Sequence, residues 1–184
     1  MSTRVYIDGF NLYYGALKRT THRWLDLQSF ADQLVGPNRI VERVLYCTAM
    51  IRARPGDPDA GRLQQVYVRA LRTLPRVEIA MGKFSVKDTD ARRRPRSTCS
   101  CCQHPVPGCD CCREELVPII KTEEKGTDVN LAVRLVQDAY EGLFDDAFVV
   151  SDDSDLQGAV DIVRKHLRKD VFIASPRNLS LIHI

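Results

Sequence analysis

A chain of 184 residues, 44% apolar and 28% charged, has the size and composition of one globular domain with a single core, and is short for two. Its formal net charge of +3 is too small to argue for a nucleic-acid partner by itself. Met1 runs at once into the strand-like "RVYID", which is no secretion signal, and no apolar stretch approaches the ~20 residues that span a bilayer. A cytoplasmic protein without membrane contact is expected.

"RVYIDGFNLYYGAL" reads as a strand, a turn permitted by Gly9, and the start of a short helix. "DLQSFADQLV" has helical spacing, with Leu27, Phe30, Ala31 and Leu34 on one face. "IVERVLYCTAMI" is β-branched and ends at the turn signals "RPGDPDAG". A long helix follows in "DPDAGRLQQVYVRALRTL", with Leu63, Val66, Ala70 and Leu71 expected to face a core. "RVEIAMGKF" is the next strand. Periodicity then stops over 85–117, a segment that holds the basic run "ARRRPR" and the cysteine cluster. A helix is expected from near Thr127 to Gly142, then a strand in "DDAFVV", a helix in "SDLQGAVDIVRKHL" and a last strand in "KDVFIASP". Strands alternating with helices predict an α/β sandwich around a parallel sheet, residues 1–184 forming one domain with 85–117 inserted in it. No helix follows the last strand before "LSLIHI", so either the native chain continues or this tail packs irregularly. The uncovered sheet edge makes a homodimer an option.

Three carboxylates fall within "SDDSD" directly after a buried strand. Two such charges about 4 Å apart repel by roughly 4 kcal/mol at an effective dielectric of 20. Either they point apart into water, or a cation holds them. In open α/β sheets ligands bind outside the carboxyl ends of the strands, and acids gather at three places expected there. These are Asp8 after the first strand, Asp128 at the start of a helix, and Asp153 with Asp155 after the fourth strand. Taken singly, each fits a helix cap or a first-turn acid. Taken together they suit a hard divalent cation such as Mg²⁺, which takes oxygen ligands and keeps several waters.

"YIDGFNLYYGAL", "KTEEKGTDVNLAVRLV" and "AFVVSDDSDLQGAVDIVRK" resemble, in order and spacing, the three signature blocks of the NYN family, the LabA-like branch of the PIN-like nucleases. The resemblance covers the chain apart from the insertion. It implies a three-layer sandwich with a five-stranded parallel sheet in the order 3-2-1-4-5 and a metal-dependent ribonuclease activity. It also implies that Asp8, Asp128, Asp153 and Asp155 are the metal-site carboxylates, with Asn11 and Ser151 as supporting polar groups and Lys125 in the matching block. One departure is Asp152, where the family commonly has glycine. The implied chemistry is hydrolysis of phosphodiester bonds in RNA, with Asp8 and Asp153 as direct ligands of Mg²⁺ or Mn²⁺. Asp128 and Asp155 then bind a second ion or orient the attacking water.

Six of the seven cysteines lie in "CSCCQHPVPGCDCC". Cys99 with Cys102 and Cys109 with Cys112 form two C-x-x-C pairs, the spacing of a closed structural Zn²⁺ site. Cys101, Cys111 and His104 are further candidates, and redox disulfides or an unligated loop are the competing readings. Cys47, inside an apolar strand, is expected in the core. Arg92, Arg93, Arg94 and Arg96 are either a solvated charge patch or phosphate contacts whose affinity falls with salt. Tyr13, Tyr14 and Trp24 are candidates for base stacking or for partial core. The competing function is a zinc-knuckle RNA-binding adaptor whose acidic pocket does not catalyse. A phosphatase-like hydrolase is disfavoured, because Phe10 stands where its second acid belongs.

Overall fold

The computed structural model describes residues 1–51, 57–92 and 116–178. In chain order its main elements are β1 (Ser2–Asp8), α1 (Gly9–Leu12), α2 (Leu27–Val35), β2 (Ile40–Thr48), α3 (Ala60–Leu71), β3 (Val77–Met81), β4 (Lys83–Arg92), β5 (Leu116–Lys125), α4 (Thr127–Tyr140), β6 (Asp146–Val150), α5 (Gln157–Asp161) and β7 (Asp170–Ala174). Helix α1 runs on into a π turn, Tyr13–Leu17, and α5 into another, Ile162–His166. The main sheet has five strands in the order β3-β2-β1-β6-β7. Its four neighbouring pairs are all parallel. Counted by their own rank along the chain, these strands run 3-2-1-4-5, as expected.

Alternation along the central strands builds two cores. Val5 and Ile7 of β1, with Val44 and Tyr46 of β2, pack under α1 and α2 among Leu12, Leu27 and Phe30. Tyr6, Leu45 and Cys47 point to the opposite face, against Leu131 and Leu135 of α4 and Val160 and Val163 beyond it. Successive side chains leave a strand on opposite faces, so a strand apolar at every position must be covered on both. That requirement makes the three layers. Cys47 is a buried free thiol, as expected, and burial pushes its pKa up to about 12.

The described residues divide into two compact units, Met1–Phe84 with Glu124–Ile184, and Ser85–Glu123. Strands β4 and β5 pair as a separate two-stranded sheet. Strand β4 was not legible in the sequence, because Phe84, Val86 and Ala91 are the only apolar residues in "KFSVKDTDAR". Strand β5 was hidden because Pro118 interrupts its apolar half and charges fill the rest of "LVPIIKTEEK". The cysteines from Cys99 to Cys112, and Arg93, Arg94 and Arg96, lie outside the described residues, as does the side chain of Arg92.

Helix α3 buries Leu71 as expected, but turns Leu63, Val66 and Ala70 outward. Val68 and Leu71 are buried, whereas Leu63 and Val66 are 43% and 37% exposed. Gln64 sets the register: its Nε2 donates to the Ala49 carbonyl at 2.9 Å and its Oε1 accepts from the Ile51 amide at 2.8 Å. A polar residue placed inward to satisfy backbone groups outweighs two apolar positions close by on the helix. On one face of the edge strand β7, Phe172 stacks on Phe148 and Arg39 lies over both rings. The homodimer finds no support there. Among the described residues no helix is long and apolar enough to cross a membrane.

Away from the strand ends that carry the candidate site, buried acids have cations. Asp138 accepts from Arg4 at 2.5 Å and from the Tyr6 hydroxyl at 2.8 Å, and Asp146 accepts from Arg39 at 2.6 Å. Asp138→Ala leaves the mostly buried Arg4 without its counter-charge, and is expected to cost about 3 kcal/mol in urea unfolding. A loss under about 1 kcal/mol would contradict that view of the pair.

Candidate active site

Strand β1 ends at Asp8, which is 2% exposed. Its carboxylate caps α1: Oδ1 accepts from the amides of Phe10 and Asn11, each at 3.0 Å. Oδ2 accepts from Asn11 Nδ2 at 2.5 Å and from the Ser151 hydroxyl at 3.2 Å. Gly9 serves packing here. A Cβ on it would lie 2.7 Å from the Tyr46 ring and 2.8 Å from the Cys47 carbonyl, so only glycine lets the chain turn this close to β2.

Parallel register brings the second segment in. Ile7 pairs with Val150, so the residue after each, Asp8 and Ser151, emerge side by side. The Ser151 hydroxyl also accepts from the Asp153 amide at 3.1 Å, and the Asp152 amide donates to Asn11 Oδ1 at 3.4 Å. Asp153 in turn caps the next helical turn by accepting from the Asp155 amide at 2.9 Å. Asp8, Asn11, Ser151 and Asp153 therefore form one hydrogen-bonded chain. Capping and convergence coexist in the same side chains.

Asp128 enters from the first turn of α4, behind Gly126, whose φ of +92° suits only glycine without strain. Its pKa is pushed up to about 6, first by burial, then by the charges of Asp8, Asp153, Glu124 and Asp155 in that order. Those causes name the neighbours: acids from β1, from the β5–α4 junction and from the loop after β6 share one field. Glu124 is absent from the sequence-derived set. It accepts from the amide of Thr127 at 3.0 Å and from its hydroxyl, a capping role that "EEKGTD" signals. Lys125 closes β5 as an exposed residue beside this junction.

Among the described residues, none of Asp8, Asp128, Asp153 and Asp155 has a Lys or Arg ion-pair partner, unlike Asp138 and Asp146. Asp152 does have one, Arg177, with Nε 3.3 Å from Oδ2. Among the described residues no three acidic, His or Cys side chains are set closely enough to ligate an ion directly. Several of their oxygens are committed to amides and hydroxyls, and like charges hold apart when nothing neutralises them. By donor type, an all-oxygen set is what a hard cation such as Mg²⁺ takes, partly through its own waters.

The doubly covered parallel sheet and the acids at its carboxyl edge define a PIN-like, nuclease-type α/β domain. The chain belongs to the NYN domain family, whose family model matches residues 2–182. It is similar to the 6-hydroxy-3-succinoylpyridine 3-monooxygenase HspA of Pseudomonas putida, 31% identical over 204 residues that take in 96% of this chain. The chain spans 60% of that protein's length. A solved structure of a protein of unknown function from Vibrio parahaemolyticus is 15% identical, covering 94% of this chain and 79% of its own, at a TM-score of 0.49.

Burial and like charges at Asp128 have a measurable cost. In a free chain this carboxyl titrates near 3.8, in the fold near 6, so folding takes up a proton between those values. Metal-free stability at this group is highest below that window and falls as pH rises through it. Asp128→Asn is expected to remove the fall and to be more stable than the wild type at pH 7 in EDTA, by urea unfolding. Parallel pH profiles for the two proteins would contradict the assignment.

Proposed function

We propose that the chain is a metal-dependent endoribonuclease that hydrolyses phosphodiester bonds of single-stranded RNA in the cytoplasm. The observation that carries the proposal is the acidic edge itself. Four carboxylates from three chain segments share one field and lack protein cations among the described residues, while other buried acids of the fold are paired with arginine. Proteins do not hold charge this way for stability; a cation or a reaction is the usual reason. NYN domains belong to a nuclease-like class, which agrees.

Bound Mg²⁺ or Mn²⁺ would supply a water of lowered pKa and neutralise charge growing on the phosphate. Asp8 and Asp153 would hold the ion, with Asn11 and Ser151 fixing the orientation of both carboxylates. Asp128, set among these carboxylates, would bind a second ion or orient the attacking water. Asp155 completes the field at the mouth. Arg92, Arg93, Arg94, Arg96 and Lys125 would contact RNA phosphates. Cys99, Cys102, Cys109 and Cys112 would close a structural Zn²⁺ site, which elemental analysis of the purified protein tests directly.

A second reading has its own support, since the similar Pseudomonas protein is named a monooxygenase. On that reading the edge would serve oxygenation of a small hydroxylated pyridine. The two separate in paired assays: labelled RNA with Mn²⁺ or EDTA, and oxygen uptake with 6-hydroxy-3-succinoylpyridine and a reductant. Mn²⁺-dependent RNA cleavage is expected, and Asp8→Asn is expected to lower it by roughly a hundredfold or more, several kcal/mol of transition-state stabilisation, with circular dichroism unchanged. Undiminished cleavage by Asp8→Asn would remove the central residue of the proposal.

A further inference from the structure

Next to the acidic edge lies a basic cleft of about 350 Å³, lined by Tyr14, Gly15, Ala16, Lys18, Arg19 and Arg177. It is built by close approach of the π turn Tyr13–Leu17 to the short 3₁₀ turn Pro176–Asn178. A Cβ on Gly15 would come within 2.8 Å of the Pro176 ring, so glycine is what lets Arg177 approach Lys18 and Arg19. π turns of this kind recur at functional sites. The lining carries three cations and no acid.

It also carries an aromatic face. Tyr14 is 51% exposed, its ring stacked on Phe10 at 6.4 Å and 17°, with Phe10 braced edge-on by Phe84. Lys18 Nζ sits 4.8 Å from the Tyr14 ring centre. Arg177 links cleft to acids: its Nε is 3.3 Å from Asp152, whose amide donates to the same Asn11 that holds Asp8. A braced exposed ring beside three cations matches a nucleotide, which offers a flat base and a phosphate. Simple anions would use the charges and leave the ring idle.

Granted the ribonuclease assignment on which this rests, we propose that the Tyr14–Lys18–Arg19–Arg177 cleft is the subsite for the nucleotide flanking the scissile bond. The base stacks on Tyr14, and Lys18, Arg19 and Arg177 hold the adjoining phosphate. Asp152 keys Arg177 to the edge of the acidic site. The RNA strand thereby passes from a positive cleft directly over the carboxylates.

The test uses the full chain in EDTA, with anisotropy of a fluorescein-labelled uridine decamer measured across a salt series. The triple variant Lys18→Ala, Arg19→Ala, Arg177→Ala is expected to bind at least tenfold more weakly. Its salt dependence should be shallower by about 2 in log–log slope, since each neutralised phosphate of a single strand contributes about 0.7. Tyr14→Ala is expected to bind roughly five- to a hundredfold more weakly while Tyr14→Phe retains binding. Unchanged affinity and slope in the triple variant would overturn the proposal. So would unaltered binding by Tyr14→Ala, which would reduce the cleft to an anion patch. If the wild type cleaves RNA with Mn²⁺ and the triple variant does so at the same KM, the subsite fails and the nuclease stands. If binding depends on the cleft but no cleavage occurs, the nuclease fails and the cleft stands as an RNA site.

Discussion

A buried carboxylate at the end of the central strand organises one whole edge of this protein. Asp8 receives two amides, an amide side chain and a hydroxyl, and the last of these comes from a residue 143 positions away. That reach depends on the parallel register that pairs Ile7 with Val150. With β1 in the middle of the sheet, its neighbours β2 and β6 must end beside it, and whatever follows them is delivered to the same place. The acids of the 151–155 loop are thus placed by strand pairing and not by local turn chemistry alone.

The cost of this arrangement is visible in contrast. Arg4 and Arg39 neutralise Asp138 and Asp146 elsewhere in the fold. At the carboxyl edge the same service is missing among the described residues, and Asp128 answers by holding its proton to about pH 6. A sequence free to vary would relieve that repulsion with one lysine. The edge instead keeps its negative field and places Arg177 one step outside it, against Asp152. Net negative inside and positive beside is an arrangement suited to drawing in a polyanion and a cation together. The fold by itself does not dictate the chemistry done there.

Much of this was legible in the residues. Asp8, Asp128, Asp153 and Asp155 stand where periodicity changes from strand to helix, and such junctions at strand ends are where α/β sheets put their sites. What the sequence hid depends on contacts between distant segments. Gly9 looks like a turn residue, yet it is required by the Tyr46 ring. Gln64 looks like a surface residue, yet it fixes the face of α3. Glu124 is hidden among neighbouring charges, and only its place in the field of Asp128 sets it apart. The Asp152–Arg177 pair joins residues that no local pattern connects.

All of the functional account depends on separate segments meeting at one ion. Mn²⁺ is paramagnetic and broadens amide resonances near it, so a substoichiometric titration of the labelled protein maps the ion directly. The account predicts simultaneous loss of the Phe10, Asn11, Thr127, Asp128 and Asp153 amides, and no such loss in Asp8→Asn. Broadening confined to one of these segments, or spread evenly over surface acids, would contradict it.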